Sequence, residues 1–587
     1  MKLKLVGVVF CLLLFNLTVH AQDKKIVLPP NWYNLDLAAD GFFGISTEKA
    51  YAQLLNGKGA KERIVVAVID GGVQVNHEDL KGVMWLNTKE IPGNGIDDDK
   101  NGYIDDVNGW NFIGSKNGNL AYDNLELIRI YRKYHDKYKS AIRSTVLDST
   151  EKQEYAEYNR AVREFGKRYN NADENFRVLS AIKKVLDSVA VVNKVAVPNL
   201  EQIERYVADD EQEEQIKKII RSGTRQEGSF EKFYKEIMDG YKQVDVMIRY
   251  NLNPKYDERE KLVGDNYEDS SERLYGNNDV QGPNADHGSH VAGIIAADRT
   301  NAIGINGVAD HVSIMAIRVV PEGDERDKDV ANGIRYAVDN GARIINMSFG
   351  KGFKWDKAVV DKAVKYAEQK GVLLVHAAGN DNSDNDVVEN YPNKFYDTPE
   401  ARAHKKRADS IAALPVKFDI NSIPERGAPQ QSRVGMNPLK PRPIDTVKFS
   451  FPHASNWIEV GASAYHDNAD LKASFSNYGK YTVDVFAPGF MIKSTVPDNK
   501  YEEFDGTSMA APVVSGLAAL IWSRYPDLKA PQIREIIMKS VRKVDRKVKH
   551  VNSRGESIRV PLSELCVSGG IVNAYDALKL AESYSVK

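Results

Sequence analysis

Cysteine is nearly absent: the 587 residues contain two, and one of them, Cys11, lies inside an apolar run at the N-terminus. Without that run Cys566 stands alone, so no internal disulfide can form. Neither sign of charge is in excess, with 80 Lys and Arg against 82 Asp and Glu and a formal net charge of -2. That balance gives no global reason to expect nucleic acid or an acidic membrane as a partner. Glycine and proline do not dominate, at 42 and 22 residues, which excludes collagen-like and low-complexity classes. Beyond the N-terminus no apolar stretch approaches the roughly 20 residues that cross a bilayer. What is left is the composition of a globular protein, 42% hydrophobic and 28% charged, so function has to be read from local sites.

Residues 1–21 read as an export signal. Lys2 and Lys4 precede an apolar run, Leu5–Val19, broken only by Gly7, Asn16 and Thr18, and Val19-His20-Ala21 offers a small-x-small cleavage site before Gln22. Phe10 before Cys11 argues against lipid attachment there. The expected destination is a periplasm or the cell exterior, with no membrane span in the mature chain. An exported protein lacking disulfides needs another source of stability, and bound metal ions are one candidate.

After a short lead over 22–60, Ile64-Val65-Val66-Ala67-Val68-Ile69 is a continuous β-branched run ending in Asp70-Gly71-Gly72, the pattern of a strand buried on both faces. Similar runs recur at Ile314–Val320, Arg343–Met347, Val372–Ala378 and Trp457–Ala462, with helical patterns at Val330–Asn340 and Ala358–Gln369 between them. This alternation predicts an α/β domain with a mainly parallel sheet. Its first part is residues 61–119 and its second 271–587. Residues 120–270 differ: Tyr155, Tyr158, Val162, Phe165 and Tyr169 share one helical face, as do Phe176, Leu179, Ile182, Leu186 and Val189. They are expected to form an α-helical insertion of several segments. Residues 394–450, Pro-rich and basic, are expected to be an irregular surface loop.

Three motifs carry chemistry. In Gly506-Thr507-Ser508-Met509-Ala510-Ala511-Pro512 a serine opens an apolar helix, where free backbone N–H groups favour a developing oxyanion; a plain helix cap is the alternative. His287-Gly288-Ser289-His290 places an imidazole, the side chain best suited to proton exchange near neutral pH, at a small-residue helix start. Asp70, ending its strand, can fix an imidazole tautomer, although an aspartate there is also an ordinary turn residue.

Taken together, in the order Asp, His, Ser, the motifs resemble the subtilase family of serine endopeptidases. Ile345-Asn346-Met347-Ser348-Phe349-Gly350 and Ala377-Ala378-Gly379-Asn380 extend the likeness. The resemblance implies a three-layer α/β/α subtilisin-like domain that cleaves protein or peptide substrates through an acyl-enzyme. It implies Asp70, His287 and Ser508 as triad and Asn380 as the side-chain donor to the oxyanion. Ser348, Phe349 and Gly350 would pair with substrate backbone, and Ala377, Ala378 and Gly379 would wall the primary specificity pocket. Gly71 stands where the family usually has Ser or Thr, and Ser289 where it usually has Thr. No G-x-S-x-G elbow surrounds Ser508, which disfavours a lipase or esterase. A catalytically silent subtilase fold used for binding is the other reading.

The stretch Asp97 to Asp106 has the oxygen-ligand spacing of an EF-hand-like loop. Asp97, Asp99 and Asn101 stand at positions one, three and five, Gly102 at six and the Tyr103 carbonyl at seven, with Asp105 and Asp106 following. Ca2+ in a structural role is the expected cofactor, and an acidic turn without metal the alternative. By resemblance Asp79 and Asn301, with the carbonyls of Ile303 and Ile305, would form a second calcium site. Asp324, Glu325 and Asp327 are expected either to favour a basic substrate residue at the cleft edge or to be a solvated acidic loop. The lead of fewer than fifty residues is short for the prodomain many subtilases use. The insertion between Asp70 and His287 is therefore expected to cap the cleft or assist folding, with a packing or solvated decoration as the alternative.

Overall fold

The β-branched run at Ile64 forms strand β1 (Ile64–Asp70), and successive side chains feed two separate cores. Ile64, Val66 and Val68 point into one, Ala67 and Ile69 into the other, which is why the run is apolar without alternation. The computed structural model describes residues 28–141, 147–410, 446–552 and 555–585. The sheet contains eight further strands: β2 (Gly109–Asn111), β3 (Val312–Arg318), β4 (Ile344–Met347), β5 (Leu373–Ala377), β6 (Trp457–Ser463), β7 (Val485–Pro488), β8 (Arg542–Lys543) and β9 (Gly570–Ile571). Their order is β8-β9-β7-β6-β5-β4-β1-β3-β2, and every neighbouring pair is parallel except β8 with β9.

Helices Asp286–Ala296, Thr507–Arg524, Ala530–Lys539 and Ala574–Ser585 cover the first core, and Asp327–Asp339 with Lys357–Gln369 cover the second. The result is a three-layer α/β/α arrangement. Helix Thr507–Arg524 is apolar all round because it runs through the first core, burying Leu517, Leu520, Ile521 and Trp522 completely. Each such side chain contributes about 1.5–3 kcal/mol by leaving water.

The chain divides into two compact units. The sheet unit comprises residues 28–126 and 257–585 as described, and a helical unit spans Leu127–Tyr256. Residues 120–126 and 257–270, expected to belong to the insertion, fall in the sheet unit. Within the helical unit the two apolar faces at 155–169 and 176–189 lie on one continuous helix, Ser149–Asn193, opened by an Asp148/Glu151 capping box. Val178, Ile182, Val185, Leu186 and Val189 pack with Ile203, Ile216, Ile220 and Phe233 from the helices that follow.

The lead is built into the sheet unit: Trp32 and Tyr33 are buried in the first core, with the indole donating to Met491 O (3.0 Å) and the phenol to Asn306 O (2.9 Å). One expectation needs correction: the stretch 394–450 is not wholly irregular, because Pro399–Ser410 is helical. Pro399 opens that helix where a missing N–H costs nothing, and good helix formers follow. Residues 411–445 lie outside the described residues, as does the 1–21 segment. Among the described residues no helix is long and apolar enough to cross a membrane.

Candidate active site

Asp70 is the last residue of β1, and Ser348 and Ala378 directly follow β4 and β5, so all three stand at the carboxyl edge of the sheet, where open α/β sheets bind ligands. β1 lies between β3 and β4, and the three end level with one another, Asp70 opposite Arg318 and Ile69 opposite Met347. The chains leaving β3 and β4 flank a slot above Asp70.

His287 lies in the first turn of its helix, with Nδ1 2.9 and 3.0 Å from the two oxygens of Asp70 across 217 positions of sequence. Gly288 permits this approach, since a Cβ there would stand 2.2 Å from the Gly72 carbonyl oxygen. The Gly71 N–H donates to Asp70 Oδ1 (2.7 Å), so that position serves the carboxylate through its backbone. Ser289 keeps a hydroxyl that accepts the Gln74 N–H (2.8 Å). Asp70 is buried, while the His287 side chain is 41% exposed. Burial pulls the pKa of His287 down, but the charge and hydrogen bond of Asp70, aided by Glu322, outweigh it and the net shift is upward from 6.5.

His290, one turn along, is a contrast. Its ring is buried, donates from Nε2 to the carbonyls of Ile492 (2.9 Å) or Glu502 (3.1 Å), and stacks on Phe504. Desolvation pushes its pKa down to about 3. It holds the hairpin of Ile492–Val496 and Lys500–Phe504 and stays neutral.

The raised pKa of His287 gives a signed expectation. Protonation of this pair contributes stability that is fully present below 6.5 and is lost as pH rises through the higher folded-state value. A reaction that needs the neutral imidazole gains rate over the same interval. The acid limb of kcat/KM should therefore lie above 6.5, and the residual activity of Asp70→Asn should show that limb displaced to lower pH. A pH–rate profile for the two proteins, unchanged by the substitution, would contradict the Asp70 assignment.

Ser508 is the second residue of its helix, and Pro512 explains part of its setting. Proline has no N–H to give the carbonyl four residues back, so Ser508 O is left without its helical donor. The Ser348 hydroxyl takes that place at 2.9 Å, and is itself fixed by Asn346 Nδ2 (2.9 Å). The Ser508 hydroxyl donates to Ser348 O at 3.1 Å; among the described residues it makes no hydrogen bond to His287.

Asn380 is oriented from one side. Its Oδ1 accepts from the N–H (2.9 Å) and the hydroxyl (3.0 Å) of Thr507, which turns Nδ2 the other way. A Cβ placed on Gly506 would lie 3.4 Å from that Nδ2 and 3.5 Å from the Ser508 N, so two donors converge on the space that glycine leaves open. Thr507 sits inside the serine motif, but its tie to Asn380 spans 127 positions and could not be read from spacing.

Ser348 and Phe349 are buried, and Gly350 is exposed on one side of the slot. Ala377 and Ala378 are buried and Gly379 is half-buried. The Ala378 carbonyl accepts from three asparagine amides, Asn385 (2.9 Å), Asn390 (3.2 Å) and Asn477 (3.0 Å). Two of these braces come from the connection that follows Ala378 itself and the third, Asn477, from a loop 99 positions on, so spacing alone did not reveal them.

In the acidic loop Asp97 and Asp99 converge with Glu90, their carboxylate oxygens lying within 4.8 Å of one another. Glu90 precedes the motif and was not anticipated. The later carboxylates close the loop instead. Asp105 accepts the N–H groups of Gly93, Asn94 and Gly95, and Asp106 accepts from Asn87, Asn101 and the Tyr336 hydroxyl. Asn101 Oδ1 accepts the Tyr103 N–H, and the Tyr103 ring packs on Trp110 and Tyr336. At the second expected calcium site Asp79 and Asn301 do meet, but Asp79 accepts from Asn301 Nδ2 (2.7 Å) and the Ile305 N–H (3.0 Å), while the Ile303 N–H turns to Asn301 Oδ1 (3.0 Å).

The run Glu325-Arg326-Asp327-Lys328-Asp329 departs furthest from expectation. All five residues are buried, at 5% exposure or less, so neither an acidic substrate edge nor a solvated loop describes Glu325 and Asp327, whereas Asp324 is half-buried and accepts the Glu126 N–H. Arg326 pairs with Asp123, Asp327 with Lys351, Lys328 with Asp265 and Glu272, and Asp329 with Arg259.

A family model described as the subtilase family matches residues 61–555. Over 239 residues the chain is 35% identical to a thermophilic serine proteinase of Bacillus sp. strain AK1, covering 40% of this chain and 43% of that one. Subtilisin DY of Bacillus licheniformis is 34% identical over 251 residues (42% and 67%), and thermitase of Thermoactinomyces vulgaris 34% over 239 (40% and 61%). The matched stretch thus spans between about two fifths and two thirds of these relatives. A solved protease structure from Pseudoalteromonas arctica PAMC 21717 aligns with a TM-score of 0.34 and 24% identity, over 52% of this chain and 74% of its own.

Proposed function

The chain belongs to the subtilase family, and on that premise we propose that it is an exported serine endopeptidase acting on proteins or peptides. Ser508 is the nucleophile, His287 the general base and then acid, and Asp70 the group that holds the imidazole tautomer and stabilises the imidazolium. Rotation of the Ser508 side chain from the Ser348 carbonyl towards His287 Nε2 readies the hydroxyl; such bonds are commonly long before substrate arrives. As Ser508 Oγ attacks the carbonyl carbon, its proton passes to His287. The carbonyl oxygen becomes an oxyanion that accepts from Asn380 Nδ2 and the Ser508 N–H. His287 then gives the proton to the leaving amine, and a water, deprotonated by the same ring, releases the acid from the acyl-enzyme. Substrate backbone lies in the slot beside Ser348–Gly350, and Ala377–Gly379 wall the pocket for the residue before the cleaved bond.

The observation that carries this reading is the Asp70–His287 pair, supported by the two donors that converge at the head of the Ser508 helix. Purified protein should hydrolyse members of a peptide library, and a serine-directed fluorophosphonate should label the tryptic peptide containing Ser508. A protein that does neither under calcium-replete conditions is not a peptidase.

Ca2+ is the proposed structural cofactor, held by Glu90, Asp97 and Asp99, whose all-oxygen donor set suits a hard cation. Bound there it would offset the mutual repulsion of the three carboxylates and fasten the loop. A hundredfold excess over Kd stabilises by about 2.7 kcal/mol. Chelation should therefore lower the melting temperature, calcium should restore it, and Asp99→Ala should remove the response. A melting curve indifferent to chelator would remove the ion from this loop.

A further inference from the structure

We propose that Lys351 is a positioning residue that sets the spacing of the substrate slot by tying together its two sides and the chain leading into the helical unit. This rests on the peptidase reading above. Lys351 follows Gly350 directly, and its side chain is 1% exposed. Its ammonium meets Glu126 Oε2, Asp327 Oδ1 and the Glu325 carbonyl, each at 2.7 Å, so its three donors find three acceptors. Two of those acceptors stand just beyond the extension of β3, on the far side of the slot from Gly350. The third, Glu126, is the last residue before the helical unit begins at Leu127.

The approach to Glu126 is built into the same wall. Tyr122 pairs in parallel with Glu322; the Glu322 N–H donates to Ala121 O (2.9 Å) and the Asp123 N–H to Glu322 O (3.1 Å). The Glu126 N–H donates to Asp324 Oδ2 at 2.7 Å. Residues 121–126 therefore run alongside the 322–324 chain, joined by one bridge and the Glu126–Asp324 hydrogen bond. The returning chain is fastened nearby, where Arg259 grips Asp265 and Asp329, and the Tyr275 hydroxyl reaches Asp329 at 2.6 Å. β1 joins β3 to β4 only as far as Asp70. Past that point the facing chains share no strand; Lys351 bridges them next to Gly350, and the Trp355 and Asp356 N–H groups donate to Asp327 Oδ2 (2.9 and 2.7 Å) farther along.

The test compares wild type, Lys351→Met and Glu126→Gln as full-length protein, with active sites counted by fluorophosphonate titration. One substrate is a chromogenic peptide with four residues before the cleaved bond; the other is a single-residue ester that barely enters the slot. Per titrated site, K351M should raise KM for the long substrate about tenfold, with kcat within about twofold and the ester unaffected. E126Q should shift the same KM in the same direction, by less. Should K351M fail to fold, E126Q decides. Unchanged per-site constants for both substrates, with only the titratable fraction or melting temperature lowered, would reduce Lys351 to a structural ion pair and overturn the inference. Wild-type protein that neither titrates nor cleaves either substrate overturns the peptidase reading, and this inference with it.

Discussion

Ser508→Ala is expected to lower kcat for peptide hydrolysis by about 10⁶, the loss found when the nucleophile of a subtilisin is removed. KM should move little, because the slot beside Ser348–Gly350 and the pocket walls do not depend on the hydroxyl. The structural cost is small: that hydroxyl makes one hydrogen bond, to Ser348 O, and the backbone tie from Ser348 to Ser508 O survives the change. The variant should fold, bind peptide and lose fluorophosphonate labelling. Steady-state kinetics on protein purified away from host peptidases decides the matter, and a Ser508→Ala variant within tenfold of wild type would mean that another group attacks.

Asn380→Leu is expected to lower kcat by about 10²–10³ at nearly constant KM, the range reported for the oxyanion asparagine of a subtilisin. The physical reason is local. Leucine removes Nδ2 from the space above Gly506, leaving the Ser508 N–H as the single donor there. It also strands the two Thr507 donors that Asn380 Oδ1 now accepts. Thr507→Val, which loses the hydroxyl but keeps the N–H, should cost about tenfold by letting the amide swing. If Asn380→Leu instead raised KM with kcat intact, the side chain would be binding substrate in its ground state.

The Asp70–His287 pair and the setting of Ser508 were legible in sequence because each of these residues sits in a short motif at the end of a buried run or at the start of a helix. The strands were legible for the same reason, since Ile64–Asp70 and Leu373–Ala377 must be apolar on both faces. The supports were not. Thr507 on Asn380, Ser348 on the carbonyl that Pro512 leaves unfilled, and three amides on Ala378 O join residues that only the fold brings together. The charged run 325–329 misled because a sequence window shows the charges but not their distant counter-ions, and paired charges can be buried where single ones cannot. The acidic loop was half legible: spacing identified Asp97 and Asp99, while Glu90 and the closing roles of Asp105 and Asp106 depend on how the chain folds back.

The lead segment meets the start of helix Ala574–Ser585: the Ala574 N–H reaches Ile45 O at 2.6 Å, and Asn573 Nδ2 reaches Ser46 Oγ at 3.1 Å. Ala50, Trp32 and Ala577 share the core in which the Ser508 helix is embedded. Truncation before Asn573 would remove both of these ties and unroof the core around the helix that carries Ser508, so the integrity of that helix rests on segments more than 500 positions apart.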